Sequence, residues 1–314
     1  MRIFICLALL FLISCNPYNR SIDMENFKID TFQGTSLLGK DLISEQLDPA
    51  KDSARIANYH KSFLNYQSNP TNPDFIIWLG RRAAYLGDYQ QAIGIYHEGI
   101  LKFPEDARFY RHRGHRYIST RQLDLAIRDL RDAVRLIKGK KDVIEPDGIP
   151  NRLNQPVSSL HTNIYYHLGL AYYLKNNLAK AYEHFDNCLQ ASQNDDMIVA
   201  SKHWLYMILR RQGKTAEAEQ LLSTVNANMS IIENDGYHQL LLFYKGELTE
   251  DELSGNGSLG SSEAVQYGIA NWYDYNGNKD EAHKRYRAIL DTGNWAAFGF
   301  IAAEADLSRL NISE

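Results

Sequence analysis

Cysteine is scarce in this chain of 314 residues: only Cys6, Cys15 and Cys188 occur, and no paired-cysteine metal or redox pattern is among them. An excess of one charge is missing too. Lysine and arginine number 34 against 38 acidic side chains, a formal −4, which gives no general attraction to phosphate backbones or anionic membranes. Any basic function must therefore be local. No HExxH, P-loop or GxSxG pattern appears, so enzyme activity is not expected and no cofactor is implied. What is present is ordinary globular material, 44% hydrophobic and 23% charged, which excludes disorder throughout and suits one large domain or an array of small units.

Long apolar runs are lacking as well. The stretch "MRIFICLALLFLISC" carries an uninterrupted run of eleven residues, Ile3 to Ile13, too short for a bilayer core of about 30 Å but matching the apolar part of a signal peptide. Leu12, Ile13, Ser14 and Cys15 resemble a bacterial lipoprotein lipobox. The resemblance implies that residues 1–14 are a signal peptide, that Cys15 is lipidated, and that the chain is membrane-anchored in the bacterial cell envelope. Asn16 follows, and "NPYNRS" has no acidic run, which by resemblance to known sorting rules favours the outer membrane. Cys6 then leaves with the signal and Cys15 carries lipid, so Cys188 is the one cysteine of the folded body and no intramolecular disulfide can form. Residues 15–48 are polar and turn-rich, with scattered Phe27, Phe32, Leu37 and Leu38, and read as a lipidated tether that docks partly on the body.

From residue 73 the chain is periodic. In "PDFIIWLGRRAAYLGDYQQAIGIYHEGILKFPED", Leu79, Gly80, Leu86, Gly87, Tyr89, Ala92, Tyr96, Gly99 and Pro104 fall at the large, small and turn positions of the tetratricopeptide repeat, which this segment resembles. A step of 34 residues takes Gly80 to Gly114, Ala92 to Ala126, and Gly99 to the small residue Ala133. Further units follow, giving repeats at about 73–106, 107–140, 162–195, 199–232 and 263–296 within a helical domain at 49–310. The expected fold is all-α, a right-handed superhelix of antiparallel helix pairs. "KDSARIANYHKSFLNYQ" and "WAAFGFIAAEADLSRL" serve as its capping helices, because end repeats otherwise leave an apolar face wet. "YHQLLLFYKGELTEDEL" reads as a further helical hairpin, followed by a flexible "SGNGSLGSS". Cys188 takes the small-residue slot and reads as a packing thiol.

The resemblance also implies a concave groove lined by the first helix of each repeat. Repeat one places Arg81 and Tyr85 there, repeat two Arg108, Arg111 and His115, repeat three Tyr166 and Tyr173, repeat four His203, Arg210 and Arg211, and repeat five Tyr267. Across the five units the groove positions hold five arginines against Asp74 and Asp274, interleaved with tyrosines, so the groove is expected to be basic and aromatic. Guanidinium forks pair bidentately with carboxylates, which points to a protein or peptide segment carrying acids; equally, these arginines can pair with acids of neighbouring helices. The family's lysine-and-asparagine carboxylate clamp is not reproduced.

The dense stretch "RHRGHRYIS" is divided by this helix. Arg111 and His115 face the groove, Arg113 is expected to lie along the packing seam with its head in water, and His112 falls on a neighbouring, solvated face. A nucleic-acid patch and a metal site are therefore not expected: the cations do not share one surface, and His112 with His115 lack a third ligand. "DYNGNKDE" has its glycine in the wrong place for a calcium loop and reads as a repeat turn. Between repeats two and three, "GKKDVIEPDGIPNRLNQPVSSLH" far exceeds the usual connection and holds Asp142, Glu145 and Asp147 within reach of the arginines, so it is either an ordered brace or a lid over the groove. The expected function is a lipid-anchored, non-catalytic scaffold for an envelope protein or acidic peptide; the alternative is an extracytoplasmic lipoprotein that binds a glycan or small molecule.

Overall fold

The computed structural model describes residues 28–310 except Asn256 and, for side chains, Ser258 and Leu259; the apolar leader, the lipidation expected at Cys15, and Phe27 lie outside the described residues. The array begins at α1 (Ser53–Ser68) and continues in pairs, each repeat's two helices packed antiparallel: α2 (Pro73–Tyr85) with α3 (Tyr89–Lys102), α4 (Ala107–Ser119) with α5 (Leu123–Ile137), α6 (Leu160–Leu174) with α7 (Leu178–Ala191), and α8 (Asp195–Arg211) with α9 (Thr215–Leu222). Then come α10 (Asp235–Lys245), the short α11 (Glu250–Ser254) and α12 (Gly257–Gly260), the pair α13 (Glu263–Tyr275) and α14 (Lys279–Asp291), and α15 (Phe298–Leu310).

Local chemistry sets these boundaries. Asn72, Asp88, Asp106, Asn177 and Asn194 each accept a backbone N–H of the first turn that follows, satisfying donors that a helix start leaves open. Helix pairs close because the facing residue is small: a Cβ at Gly80 would lie 2.4 Å from the Tyr96 ring, so only glycine lets α3 approach α2. At the turn between the two helices the backbone goes left-handed, with φ +89° at Gly87. One repeat later Arg121 takes that slot at φ 63°, a conformation that costs a non-glycine residue about 1–2 kcal/mol and must be held by its surroundings.

Three features depart from a plain stack. Residues read as a tether end in an antiparallel hairpin, β1 (Phe32–Thr35) and β2 (Asp41–Ile43), docked on the body. Its anchors are the buried Ile29, Leu42 and Gln33, while Phe32 is exposed; the Gln33 side chain accepts from Gln90 N at 3.0 Å, and the Ser44 hydroxyl donates to Gly87 O at 2.8 Å. The expected hairpin after repeat four is one helix, α10, packed on α8 and α13, and two short turns of helix.

The third feature matters most. The last helix was expected to cap the end of the stack, yet α15 also turns back against the inner helices, packing on α6 as well as on α13 and α14. Every residue from Gly299 to Leu307 is buried, the signature of a helix surrounded on all sides. Glu304 fastens it: the Arg121 fork donates to both of its oxygens, at 2.7 Å for Nη2 to Oε2, and its Oε1 also accepts the Leu37 backbone N–H from the hairpin turn. Trp295 Nε1 adds a 2.9 Å bond to Ile43 O. The amino-terminal hairpin, the second repeat and the carboxy-terminal helix are thus joined.

The candidate binding groove

The chain itself covers most of the residues expected to line the groove. Asp306 of α15 accepts from Tyr267 at 2.7 Å and from Arg211 at 3.1 Å, and Tyr173 shares a 2.7 Å hydroxyl contact with Tyr267 while accepting from Arg211 at 2.8 Å. Tyr173 and Tyr267 are each 1% exposed, so neither is open to an incoming segment. His203 is equally buried, sandwiched by Tyr237 and Tyr244 of α10; burial pushes its pKa down to about 3, leaving a neutral ring. Tyr166 accepts from Trp204 Nε1 at 2.8 Å and meets the Tyr237 hydroxyl. His115 clusters with His167 and Phe298, the first residue of α15. Expecting these side chains to line an open trough was therefore incorrect, because α15 and α10 fill the space in front of them.

The arginines separate into spent and unspent. Arg108 is held by Asp106 and by Asp74, the latter at 2.6 Å, and Arg211 by Asp306. Arg210 donates to Tyr206 and Asn276 and stacks over Tyr275, 4.6 Å from the ring centre. Arg111 Nη2 pairs with Glu145 at 3.0 Å, yet its buried Nε has no partner among the described residues. Arg81 has no carboxylate within 4.0 Å among them; it rests over Trp78 at 4.4 Å and makes only long bonds, 3.3 and 3.4 Å, to Tyr85 Oη.

Two assignments within "RHRGHRYIS" also change. Arg113 does not reach water: its fork grips Asp129, with Nε to Oδ2 at 2.6 Å and Nη2 to Oδ1 at 2.9 Å, and the residue is 6% exposed. His112 is buried against Tyr96 rather than solvated. Burial, then the charge of Arg111, holds the His112 ring well below its ordinary pKa; burial and nearby arginines do the same to His115 and His167. No group of three His, Cys, Asp or Glu side chains placed to hold a metal occurs among the described residues.

The long insertion is an ordered strap. Glu145 N donates to Ser158 O, and Leu160 N to Val143 O, tying its two ends together. Its middle crosses onto repeat one, where Arg82 Nη1 donates to Gly148 O at 3.1 Å. Gly148 is pressed so closely on Tyr85 that a Cβ would fall 1.6 Å from the hydroxyl oxygen. Between the strap, α2, α4 and the segment entering α10 lies an open cavity of about 580 Å³, lined by Arg81, Tyr85, Arg111, Glu145, Asp147, Asn163 and Asp235 among others. Asp147 Oδ2 is buried without a partner among the described residues; burial raises this carboxyl and Arg81 opposes the shift. Asp147 and Glu145 were foreseen near the arginines. Glu304 and Asp306 were not, although two acids inside the apolar run "FIAAEADL" are the available sign of buried, paired carboxylates.

A family model matches the region of the first two helix pairs. Residues 79–139 match the family described as tetratricopeptide repeat. No curated protein matches the chain. Among solved structures it is similar to YrrB, a repeat protein whose structure is described as having an unusual peptide-binding site, at 13% identity with 73% of this chain and 91% of that one covered and a TM-score of 0.43. It is similar also to MamA, at 14% identity over 64% of this chain and 95% of that one, TM-score 0.43, and to a putative kinesin light chain of Podospora anserina, at 17% over 72% and 98%, TM-score 0.43.

Proposed function

We propose that this chain, an all-α tetratricopeptide repeat protein, is a non-catalytic scaffold that receives a carboxylate-bearing segment of a protein partner in the cavity between α2, α4 and the strap. The fold is that of a protein-interaction scaffold. One observation carries the finer reading: among the described residues Arg81 has no acid within 4.0 Å and Arg111 Nε has no acceptor, and both arginines line an open cavity. An unfilled guanidinium donor in such a place is costly, and hydrogen bonds to charged groups return about 1.5–3 kcal/mol each. The body's cysteine and the buried His167 lie outside this cavity. Cys188 is fully buried with its thiol pushed up to about 12, and His167 Nδ1 is bound to Asn163 O.

Anchoring is the second part of the proposal: lipid on Cys15 holds the scaffold in the bacterial envelope, on the outer membrane, and the hairpin seats the tether against repeat one. Metabolic labelling with a palmitate analogue tests it, since Cys15→Ser loses the label if the lipobox reading is right and keeps it if not. The binding reading is tested by crosslinking pull-down from native membranes with wild type, Arg81→Glu and, as a control outside the cavity, Arg210→Glu. Loss of one specific protein with Arg81→Glu alone is the expected result. An unchanged partner set refutes it and transfers attention to glycans and small molecules, for which a cavity of this size is also adequate.

A further inference from the structure

Resting on that reading, the polar inventory of the cavity says what the bound segment must carry. The lining holds three arginines, Arg81, Arg111 and Arg152, against four carboxylates, Glu145, Asp147, Glu233 and Asp235. A segment bearing acids alone therefore meets a wall with one more acid than base. Two classes of group nevertheless coexist there: the Arg81 guanidinium, bonded only to Tyr85 Oη and with no carboxylate within 4.0 Å among the described residues, together with Arg111 Nε, and the Asp147 Oδ2 acceptor, these last two without a hydrogen-bond partner among them. The strap that bears Asp147 is held at both sides of the cavity: Arg82 Nη1 donates to Gly148 O, and Asn151 Nδ2 donates to Glu233, whose segment the buried Asp196 clamps by accepting from the backbone of Ile232, Glu233 and Asn234.

The geometry points to a dipolar ligand: a peptide segment that presents a carboxylate to Arg81 and Arg111 and, next to it, an ammonium or guanidinium group to Asp147 and Asp235. A carboxylate alone leaves the Asp147 oxygen orphaned and adds repulsion, and a cation alone leaves Arg81 and Arg111 unfilled. A segment with both sets an opposite charge beside each class of unpaired group. Asn163 is not needed for this, being committed to Glu145 and Ser158.

The test uses the full chain and blocked hexapeptides of glycine and serine that contain glutamate and lysine adjacent to each other, glutamate alone, lysine alone, or neither, titrated to millimolar concentration against wild type, Arg81→Gln and Asp147→Asn. Neither side chain has a charged partner to lose, so both variants are expected to fold, which circular dichroism melting checks. The adjacent pair should bind about tenfold more tightly than either single charge. Arg81→Gln should erase the gain from glutamate and Asp147→Asn the gain from lysine. If glutamate alone binds as well as the pair, the dipolar inference fails while the carboxylate reading stands. If no peptide is distinguished from the neutral one, both fail.

Discussion

Replacing Glu304 by alanine should be the most damaging single change away from the cavity. In the wild type the Arg121 fork is 2% exposed and the Glu304 carboxylate 1%, with Arg121 Nη2 also donating to Trp295 O at 2.8 Å. Glu304→Ala leaves a buried guanidinium without its countercharge and the Leu37 N–H without its acceptor. Breaking a buried pair by removing one partner costs about 3–5 kcal/mol, a large part of a typical stability of about 5–15. With a urea m-value of about 3 kcal/mol per M, the unfolding midpoint should fall by about 1–2 M. Hydrogen exchange should show β1, β2 and α15 losing protection together, because Glu304 joins them. Removing both charges in Arg121→Met/Glu304→Leu should recover most of the loss, since an apolar pair of similar volume avoids the desolvation cost. A midpoint shift below about 0.3 M in the single variant, or a double variant as unstable as the single, would refute this account of how α15 is held.

Acid should destabilise the fold. His203, with its pKa near 3, and His112, His115 and His167, held well below 6.5, stay neutral in the folded chain while the unfolded chain protonates them below about pH 6.5, so stability is lost as pH falls through that range, by about 1.4 kcal/mol per pH unit for each ring. Urea midpoints at pH 7.5 and 5 measure this, and equal midpoints would contradict it. Cys188, with its thiol pushed up to about 12 and its side chain buried, should resist maleimide in the native state and react on unfolding; rapid native labelling would show that the third repeat opens readily. Gly148→Ala should lift the strap from Tyr85 and speed limited trypsin cleavage at the exposed Arg152 about tenfold, the effect of about 1.4 kcal/mol on local opening. An unchanged cleavage rate would mean that the strap is not held at this contact.

What the sequence made legible is what neighbouring residues decide. The step from Gly80 to Gly114, the small residues Ala92 and Ala126, and the turn at Gly87 are constraints of one helix on the next, so periodicity finds them. Exposure on a helix face depends instead on what arrives from elsewhere. Arg113 was read as solvated because Asp129, its partner on the adjacent helix, is invisible to a rule about one helix alone. Tyr173, Tyr267 and Arg211 were read as groove surface because their occupant, α15, comes from the far end of the chain. Arg121 is the opposite case: a glycine slot filled by arginine is a local irregularity whose cause, Glu304, lies 183 residues away. The groove arginines divide between the two roles. Arg108, Arg111 and Arg211 pair with the chain's own acids, while Arg81 and Arg210 have no carboxylate within 4.0 Å among the described residues.

Self-occupancy separates two kinds of residue that the family's groove positions would lump together. Where α15 and α10 fill the concave side, Arg211, Tyr267 and His203 serve cohesion, and their loss should be read as lost stability. In the cavity left between the strap, α2 and α4, Arg81 and Asp147 contribute little to cohesion because neither has an oppositely charged partner within 4.0 Å among the described residues, and their loss should be read as lost binding. The two predictions are therefore reciprocal. Arg81→Glu should remove the partner with its urea midpoint unchanged within about 0.2 M, the scale of an ordinary surface change. Arg211→Glu, which sets a second carboxylate against Asp306, should lower the midpoint by about 1 M or more, as a buried uncompensated charge does. At a temperature where it is still folded, Arg211→Glu should keep the partner. If instead Arg81→Glu lowered stability and spared binding, the open cavity would be a packing defect, and the binding surface would have to be sought on another face of the superhelix.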